Sequence, residues 1–188
     1  AVSRFFNIVG FEFLQGYGMT ECSPVVSVNR PDDNRFGSVG PPLSNVKVKI
    51  DNPNEDGIGE ICVQADSTTP GYRNNPERTA ELIRDGWLRT GDLGRLKHGH
   101  LWITGRAKNV IVSAAGKNIY PEELEEHLVA SAYILEAVIV GRKKAGASGG
   151  EAVWAVLVPD LEQMRVDAAL DPARPDMNII RAVLDREI

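Results

Sequence analysis

Three short segments hold the side chains with the most chemistry to offer. Gly16-Tyr17-Gly18-Met19-Thr20-Glu21 follows an apolar stretch, and in α/β folds ligands gather beyond the carboxyl ends of strands. Glycines on both sides of Tyr17 let the backbone bend and the ring lie against a ligand. The Thr20 hydroxyl can donate to a phosphate, and the Glu21 carboxylate can hold Mg²⁺, a hard cation that prefers oxygen. For the hexapeptide alone, a strand-end turn with a solvated glutamate is the simpler reading. The second segment, Gly86–Leu96, puts Asp92 in a turn between apolar stretches, where a carboxylate can accept two hydrogen bonds from a ribose diol. The third, Thr104–Glu125, puts Arg106 at a strand end and follows it with a glycine loop. Turn aspartates and surface loops are commonplace, so neither segment decides anything by itself.

The elements that position these groups follow from periodicity and turn chemistry. Residues 46–50 and 58–65 read as a β-hairpin around the turn residues 52–57. A short helix is expected from Pro76 to Leu82, capped by Asn75, with Pro76 at its first position and Asp85-Gly86 as its stop. Leu88 and Leu101–Thr104 flank a second hairpin with residues 97–100 at its tip. Residues 34–105 are therefore β-rich. Beyond Gly105 come a strand at 110–112, a flexible loop at 114–118, and a helix opening on Pro121 with Leu124, Leu128 and Val129 on one face. Strands at 137–140 and 152–158 follow, joined by the glycine-rich stretch 141–150. Two tail helices flank Asp171-Pro172-Ala173-Arg174-Pro175.

The fold class expected is α/β passing to α+β. Residues 1–33 end a large α/β subdomain, 34–105 form a small β-rich, distorted-barrel subdomain, and 106–188 form a truncated α+β domain. The boundary falls near Arg106–Lys108. The opening at Ala1, without Met and in mid-pattern, suggests an excised fragment.

Bulk properties narrow the function classes. The 188 residues carry a net charge of -5 with Lys and Arg spread along the chain, so there is no basic stripe for nucleic acid. Cys22 and Cys62 are far apart and lack neighbouring ligands, which argues against a zinc site or disulfide framework and for a reduced, cytoplasmic setting. No apolar run approaches the ~20 residues that span a bilayer, leaving only peripheral membrane contact through a substrate. Trp87, Trp102 and Trp154 read as packing residues. His98, His100 and His127 form no cluster with carboxylates or cysteines, and Glu122–His127 reads as a solvated helix face. Cys22, beside Glu21, reads as a packing residue that could make a site thiol-sensitive.

Taken together, GYGMTE, GSVGPP, GEICVQ with GYRNNPERT, GWLRTGDL and GRAKNVIVSAAGKNIYPEELE resemble, in order and separation, the adenylate-forming superfamily of acyl-CoA synthetases, adenylation domains and luciferases. The resemblance runs from about Phe11 to about Pro159. It implies that Tyr17, flanked by Gly18, stacks on adenine, that Thr20 contacts the α-phosphate, and that Glu21 holds magnesium. Asp92 resembles the ribose-diol acceptor, and Arg106 its partner near ribose or phosphate. Lys108 falls at the family's hinge, and Gly116 beside the pantetheine arm of coenzyme A, with Lys117 assisting that loop.

Lysine at the hinge and GKNIYPEELE after it look more like long-chain fatty acyl-CoA ligases than peptide-synthetase modules. The expected activity is ATP-dependent ligation of a carboxylic acid to coenzyme A through an acyl-adenylate. The partners are small molecules: ATP/AMP, Mg²⁺, the acid and coenzyme A. The family's phosphate loop and C-terminal lysine motif are not found in these residues, so the fragment alone is expected to be inactive. The alternatives are another adenylating enzyme, loading a carrier protein or acting like luciferase, and a non-catalytic adenylate-binding module.

Overall fold

A computed structural model describes residues 2–143, 150–168 and 177–184. The chain divides into two compact units, Ala1–Lys108 and Asn109–Ile188, and is a mixed α/β to α+β structure.

The first unit opens with helix α1 (Val2–Ile8) and a hairpin of β1 (Gly16–Gly18) and β2 (Val25–Val28), with a 3-10 turn at Thr20–Cys22 between them. Its larger part is an antiparallel sheet of β3 (Lys47–Asp51), β4 (Gly59–Gln64), β5 (Ile83–Arg84), β6 (Trp87–Lys97) and β7 (His100–Arg106). The order is β3-β4-β6-β5, with β7 also on β6, and the sheet stays open instead of closing into the expected barrel. Helix α2 (Pro76–Leu82) forms where capping chemistry put it: Asn75 accepts a hydrogen bond from the Arg78 backbone N–H at 3.0 Å. Asp85-Gly86, however, does not stop that helix. Both residues have positive φ, 52° and 76°, and turn β5 into β6, as a two-residue hairpin requires. His98-Gly99 does the same between β6 and β7.

The core of this unit is Cys22, Val26, Val46, Ile61, Val63, Leu88 and Leu101. Segment 38–43 ties the β1–β2 hairpin to the sheet, with backbone bonds between Val39 and Leu101, Leu101 and Gly40, and Leu43 and Val26. Buried Asn29 locks that segment, donating to the Ser38 carbonyl at 2.7 Å and accepting from the Ser38 hydroxyl at 3.1 Å. Gly40 has φ 84°, and a Cβ there would lie 2.0 Å from the Val28 carbonyl carbon. That close approach gives the GSVGPP segment a physical role.

The second unit contains β8 (Ile111–Val112), β9 (Asn118–Ile119), α3 (Pro121–Leu128), the antiparallel pair β10 (Ile134–Arg142) and β11 (Ala152–Pro159), α4 (Leu161–Ala168) and α5 (Met177–Leu184). The expected flexible loop at 114–118 is instead the turn of the β8–β9 hairpin, closed by the Gly116 N–H on the Ser113 carbonyl and the Ser113 N–H on the Lys117 carbonyl. The glycine-rich joint and the DPARP segment fall largely or wholly at 144–149 and 169–176, outside the described residues.

Helix α3 departs from its expected polarity. Leu124 and Val129 are exposed, whereas Glu125 accepts the Ile139 backbone N–H at 2.8 Å, so one glutamate of the supposedly solvated face joins helix to strand. Trp154 is also exposed, with the Arg142 guanidinium over its ring. Among the described residues no helix is long and apolar enough to cross a membrane.

Candidate functional site

Residues 75 positions apart meet at one carboxylate. The Tyr17 hydroxyl donates to Asp92 Oδ2 at 2.5 Å, and Arg106 Nε lies 2.8 Å from Asp92 Oδ1. Tyr17 comes from the β1–β2 hairpin, Asp92 from β6 and Arg106 from the end of β7. Asp92 and Arg106 face each other directly in the β6–β7 register.

Asp92 is not in the turn between apolar stretches that the sequence suggested. Strand β6 runs unbroken from Trp87 to Lys97, and Asp92 sits at an irregularity in its pairing with β4. The Asp92 side chain is only 13% exposed and that of Arg106 53%, so the ion pair is half-wet. Burial, then the hydrogen bond to Asp92, pushes the Tyr17 phenol well above the ordinary tyrosine range. Tyr17 therefore stays a neutral donor.

Gly16, Tyr17, Gly18, Met19, Thr20, Pro24, Val25 and Val28 line a shallow cavity of about 450 Å³. Thr20 is exposed at its edge. Glu21 lies in the 3-10 turn and accepts the Tyr72 hydroxyl on Oε1 at 2.8 Å, while its backbone carbonyl takes the Thr69 N–H at 2.7 Å. Tyr72 was not singled out by sequence; the only hint is its place in GYRNNPERT. Cys22, the next residue, is 1% exposed, and burial, ahead of the Glu21 charge, pushes its thiol up. Its burial fits the packing role read from the sequence, and an apolar setting disfavours the thiolate.

Lys108 lies in the 3-10 turn Ala107–Asn109, at the seam between the two units. Gly116 and Lys117 are exposed in the β8–β9 turn of the second unit, where Gly116 has φ 75°. His100 is buried, with Nε2 3.4 Å from Asp33 Oδ2; it has a carboxylate neighbour after all. Among the described residues no three His, Cys, Asp or Glu side chains stand together as a metal cage.

Residues 1–73 match the family model described as AMP-binding enzyme. The long-chain-fatty-acid–CoA ligase of Salmonella typhimurium (strain LT2) is 35% identical over 174 residues, covering 89% of this chain and 30% of that protein. Residues 1–73 thus match the AMP-binding enzymes, and most of the chain is similar to adenylate-forming acid–CoA ligases. Two solved structures are similar over most of the chain. The O-succinylbenzoate coenzyme A synthetase MenE of Bacillus subtilis, in complex with ATP and magnesium, gives a TM-score of 0.74 at 32% identity, over 84% of this chain and 34% of that one. The amide bond synthetase McbA of Marinactinospora thermotolerans gives 0.71 at 33% identity, over 99% of this chain and 37% of that one. The chain thus spans about 30% of the length of the curated relative.

Proposed function

We propose that the chain carries part of the active site of an ATP-dependent acid–CoA ligase, one that activates a carboxylic acid, of the long-chain fatty class, as an acyl-adenylate and transfers it to coenzyme A. The meeting of Tyr17 and Arg106 on the two oxygens of Asp92 carries this reading. A carboxylate offers about four lone-pair directions, and two remain for the 2′- and 3′-hydroxyls of a ribose. The Tyr17 ring, whose hydroxyl is pinned to Asp92, gives the adenine a flat wall beside the cavity. Thr20, on the rim, donates to the α-phosphate.

Glu21 suits Mg²⁺ as one carboxylate with a single oxygen engaged by Tyr72. Magnesium is ordinarily held by one or two carboxylates plus substrate phosphates and water, so a single protein carboxylate can serve. When bound, it neutralises phosphate charge.

In the first half-reaction the acid's carboxylate attacks the α-phosphorus and pyrophosphate leaves. In the second, the coenzyme A thiol attacks the acyl carbon and AMP leaves. We assign Arg106 to ribose or phosphate during these steps, Lys108 to a hinge, and Gly116 with Lys117 to the loop beside pantetheine. In this reading residues 1–33, 34–105 and 106–188 are the end of a large subdomain, the β-rich subdomain and a mobile domain. The setting is cytoplasmic, with peripheral membrane contact through the lipid substrate.

Asp92→Ala removes an acceptor shared by two ribose hydroxyls. Loss of two bonds to a charged, largely buried group costs ~2–4 kcal/mol. The expected result is AMP affinity reduced by roughly thirtyfold or more by calorimetry, with folding intact by circular dichroism. Wild-type affinity in that variant would make Asp92 a structural residue only. The similarity to an amide bond synthetase keeps open a second reading, in which the adenylate passes to an acceptor other than coenzyme A. Trapping of acyl-CoA by the full-length protein separates the two.

A further inference from the structure

We infer that Glu60 is a positioning residue for the Asp92 carboxylate, acting through the backbone of a bulge in β6; this rests on the nucleotide reading above. Between the pairs Glu60↔Leu93 and Cys62↔Arg89, one residue of β4, Ile61, faces three of β6, Thr90, Gly91 and Asp92. Surplus residues in a ladder lose their backbone partners and bend the strand, and such bulges serve to aim a side chain. Gly91 takes φ 72°, a conformation that a residue with a Cβ resists.

Side chains supply what the ladder lacks. The Gly91 N–H donates to Glu60 Oε1 at 3.2 Å, the Asp92 N–H to Thr90 Oγ1 at 3.0 Å, and Thr90 Oγ1 in turn to the Ile61 carbonyl at 2.8 Å. Glu60 is itself held, because its Oε2 pairs with the Arg89 guanidinium, which also reaches Asp51 Oδ2 at 3.3 Å. The Glu60 side chain is 16% exposed, so water is a poor substitute for it at Gly91. Glu60 thus fixes the residue immediately before Asp92, on the strand that presents Asp92 to Tyr17 and Arg106. It touches no atom of the proposed ligand site itself.

The ion pair with Arg89 could matter for stability alone, so the variants must separate charge from hydrogen bonding. Glu60→Gln keeps an oxygen for the Gly91 N–H and gives up the charge facing Arg89. Glu60→Ala gives up both. Arg89→Met removes the ion pair and leaves Glu60 facing Gly91. Nitrogen-15 NMR of the 188-residue chain reports the Gly91 amide and the Arg106 Nε–H. In Glu60→Ala the Gly91 amide is expected to exchange at least about tenfold faster, as an unmade bond permits, and the Arg106 Nε–H resonance to shift. Glu60→Gln and Arg89→Met are expected to keep both signals near wild type.

Unchanged signals in Glu60→Ala, or equal disturbance in Glu60→Gln or Arg89→Met, would overturn the inference and assign Glu60 to the ion pair. If Glu60→Ala does not fold, Arg89→Met and Glu60→Gln decide by the same signals. Titration with AMP and with 2′,3′-dideoxy-AMP supplies the functional arm. Glu60→Ala is expected to lose about tenfold in AMP affinity with the dideoxy analogue unaffected. Should the wild-type chain bind the two nucleotides equally, the ribose reading fails, and the NMR arm still decides whether Glu60 positions Asp92.

Discussion

Tyr17 shows how burial and one hydrogen bond together hold a side chain's proton. Its phenol is kept protonated first by burial and then by the hydrogen bond to Asp92. A folded-state pKa above the unfolded one means that the folded chain holds this proton at pH values where the unfolded chain loses it. The associated stability is therefore complete below about pH 10, the ordinary tyrosine value, and is lost as pH rises beyond it. Tyr17→Phe removes this dependence along with a hydrogen bond worth about 1 kcal/mol. Urea unfolding at pH 7, 9 and 10.5 is expected to show wild type more stable at pH 7, with the gap shrinking or reversing at the highest pH. The Cys62 thiol, also pushed up by burial, is present in both proteins, whereas the Cys22 charge adds a smaller push to the Tyr17 phenol in the wild type alone. A gap constant with pH would mean that Tyr17 is not held this way. Residue types were legible at this scale only through the order and separation of the segments that carry Tyr17, Asp92 and Arg106. Their partners were not, because Tyr72 reaches Glu21 across 51 positions and Glu60 reaches Gly91 across 31, and no local pattern marks a contact that only tertiary pairing makes.

Glycines in two hairpins separate two reasons for having no side chain, and with them two costs. A Cβ on Gly18 would lie 1.8 Å from the Pro24 carbonyl oxygen, a backbone atom of the facing strand segment that cannot step aside. One on Gly116 would meet nothing within 4 Å, and only its φ of 75° resists substitution. Gly18→Ala is therefore expected to lower stability by roughly 3 kcal/mol or more as the hairpin is forced apart, and Gly116→Ala by only about 1–2 kcal/mol, the ordinary cost of a left-handed residue. Thermal unfolding of the two variants checks the order; a Gly116 variant as unstable as the Gly18 variant would show that the β8–β9 turn is crowded. Sequence reading was strongest where capping and turn chemistry are local, and α2 begins at Pro76 behind its Asn75 cap for that reason. It was weakest where tertiary pairing overrides local signals. Asp92 was read as a turn residue between apolar stretches, yet strand β6 continues through it with a bulge supported from β4. In α3 the leucine spacing pointed to an apolar inner face, while Glu125 bonding to β10 shows that the inner face is partly polar.

At the scale of the whole molecule, the chain separates into compact units between Lys108 and Asn109, within a single 3-10 turn, and we propose that Lys108 is the hinge between them. A hinge works through the torsions of very few residues, so a substitution that limits torsions discriminates better than one that removes charge. Proline fixes φ near -65°, which a 3-10 turn accepts at position 108, and it also pushes the preceding Ala107 toward extended conformations. Lys108→Pro in the full-length protein is therefore expected to confine the seam to a subset of its orientations. The two half-reactions then suffer unequally: one survives near the wild-type rate while the other falls by about a hundredfold or more, equivalent to ~3 kcal/mol of barrier. If the retained orientation is the adenylating one, acyl-adenylate still forms and thioester does not, because the Gly116 loop is not brought to its place. Lys108→Ala keeps the backbone freedom and is expected to change either rate by less than about threefold, in line with a substitution at an exposed position. Single-turnover measurement of adenylate formation and of thioester formation, each from a preloaded enzyme, reads the two steps separately. Equal loss of both in the proline variant would point to damaged folding, and wild-type rates in both would move the hinge away from Lys108.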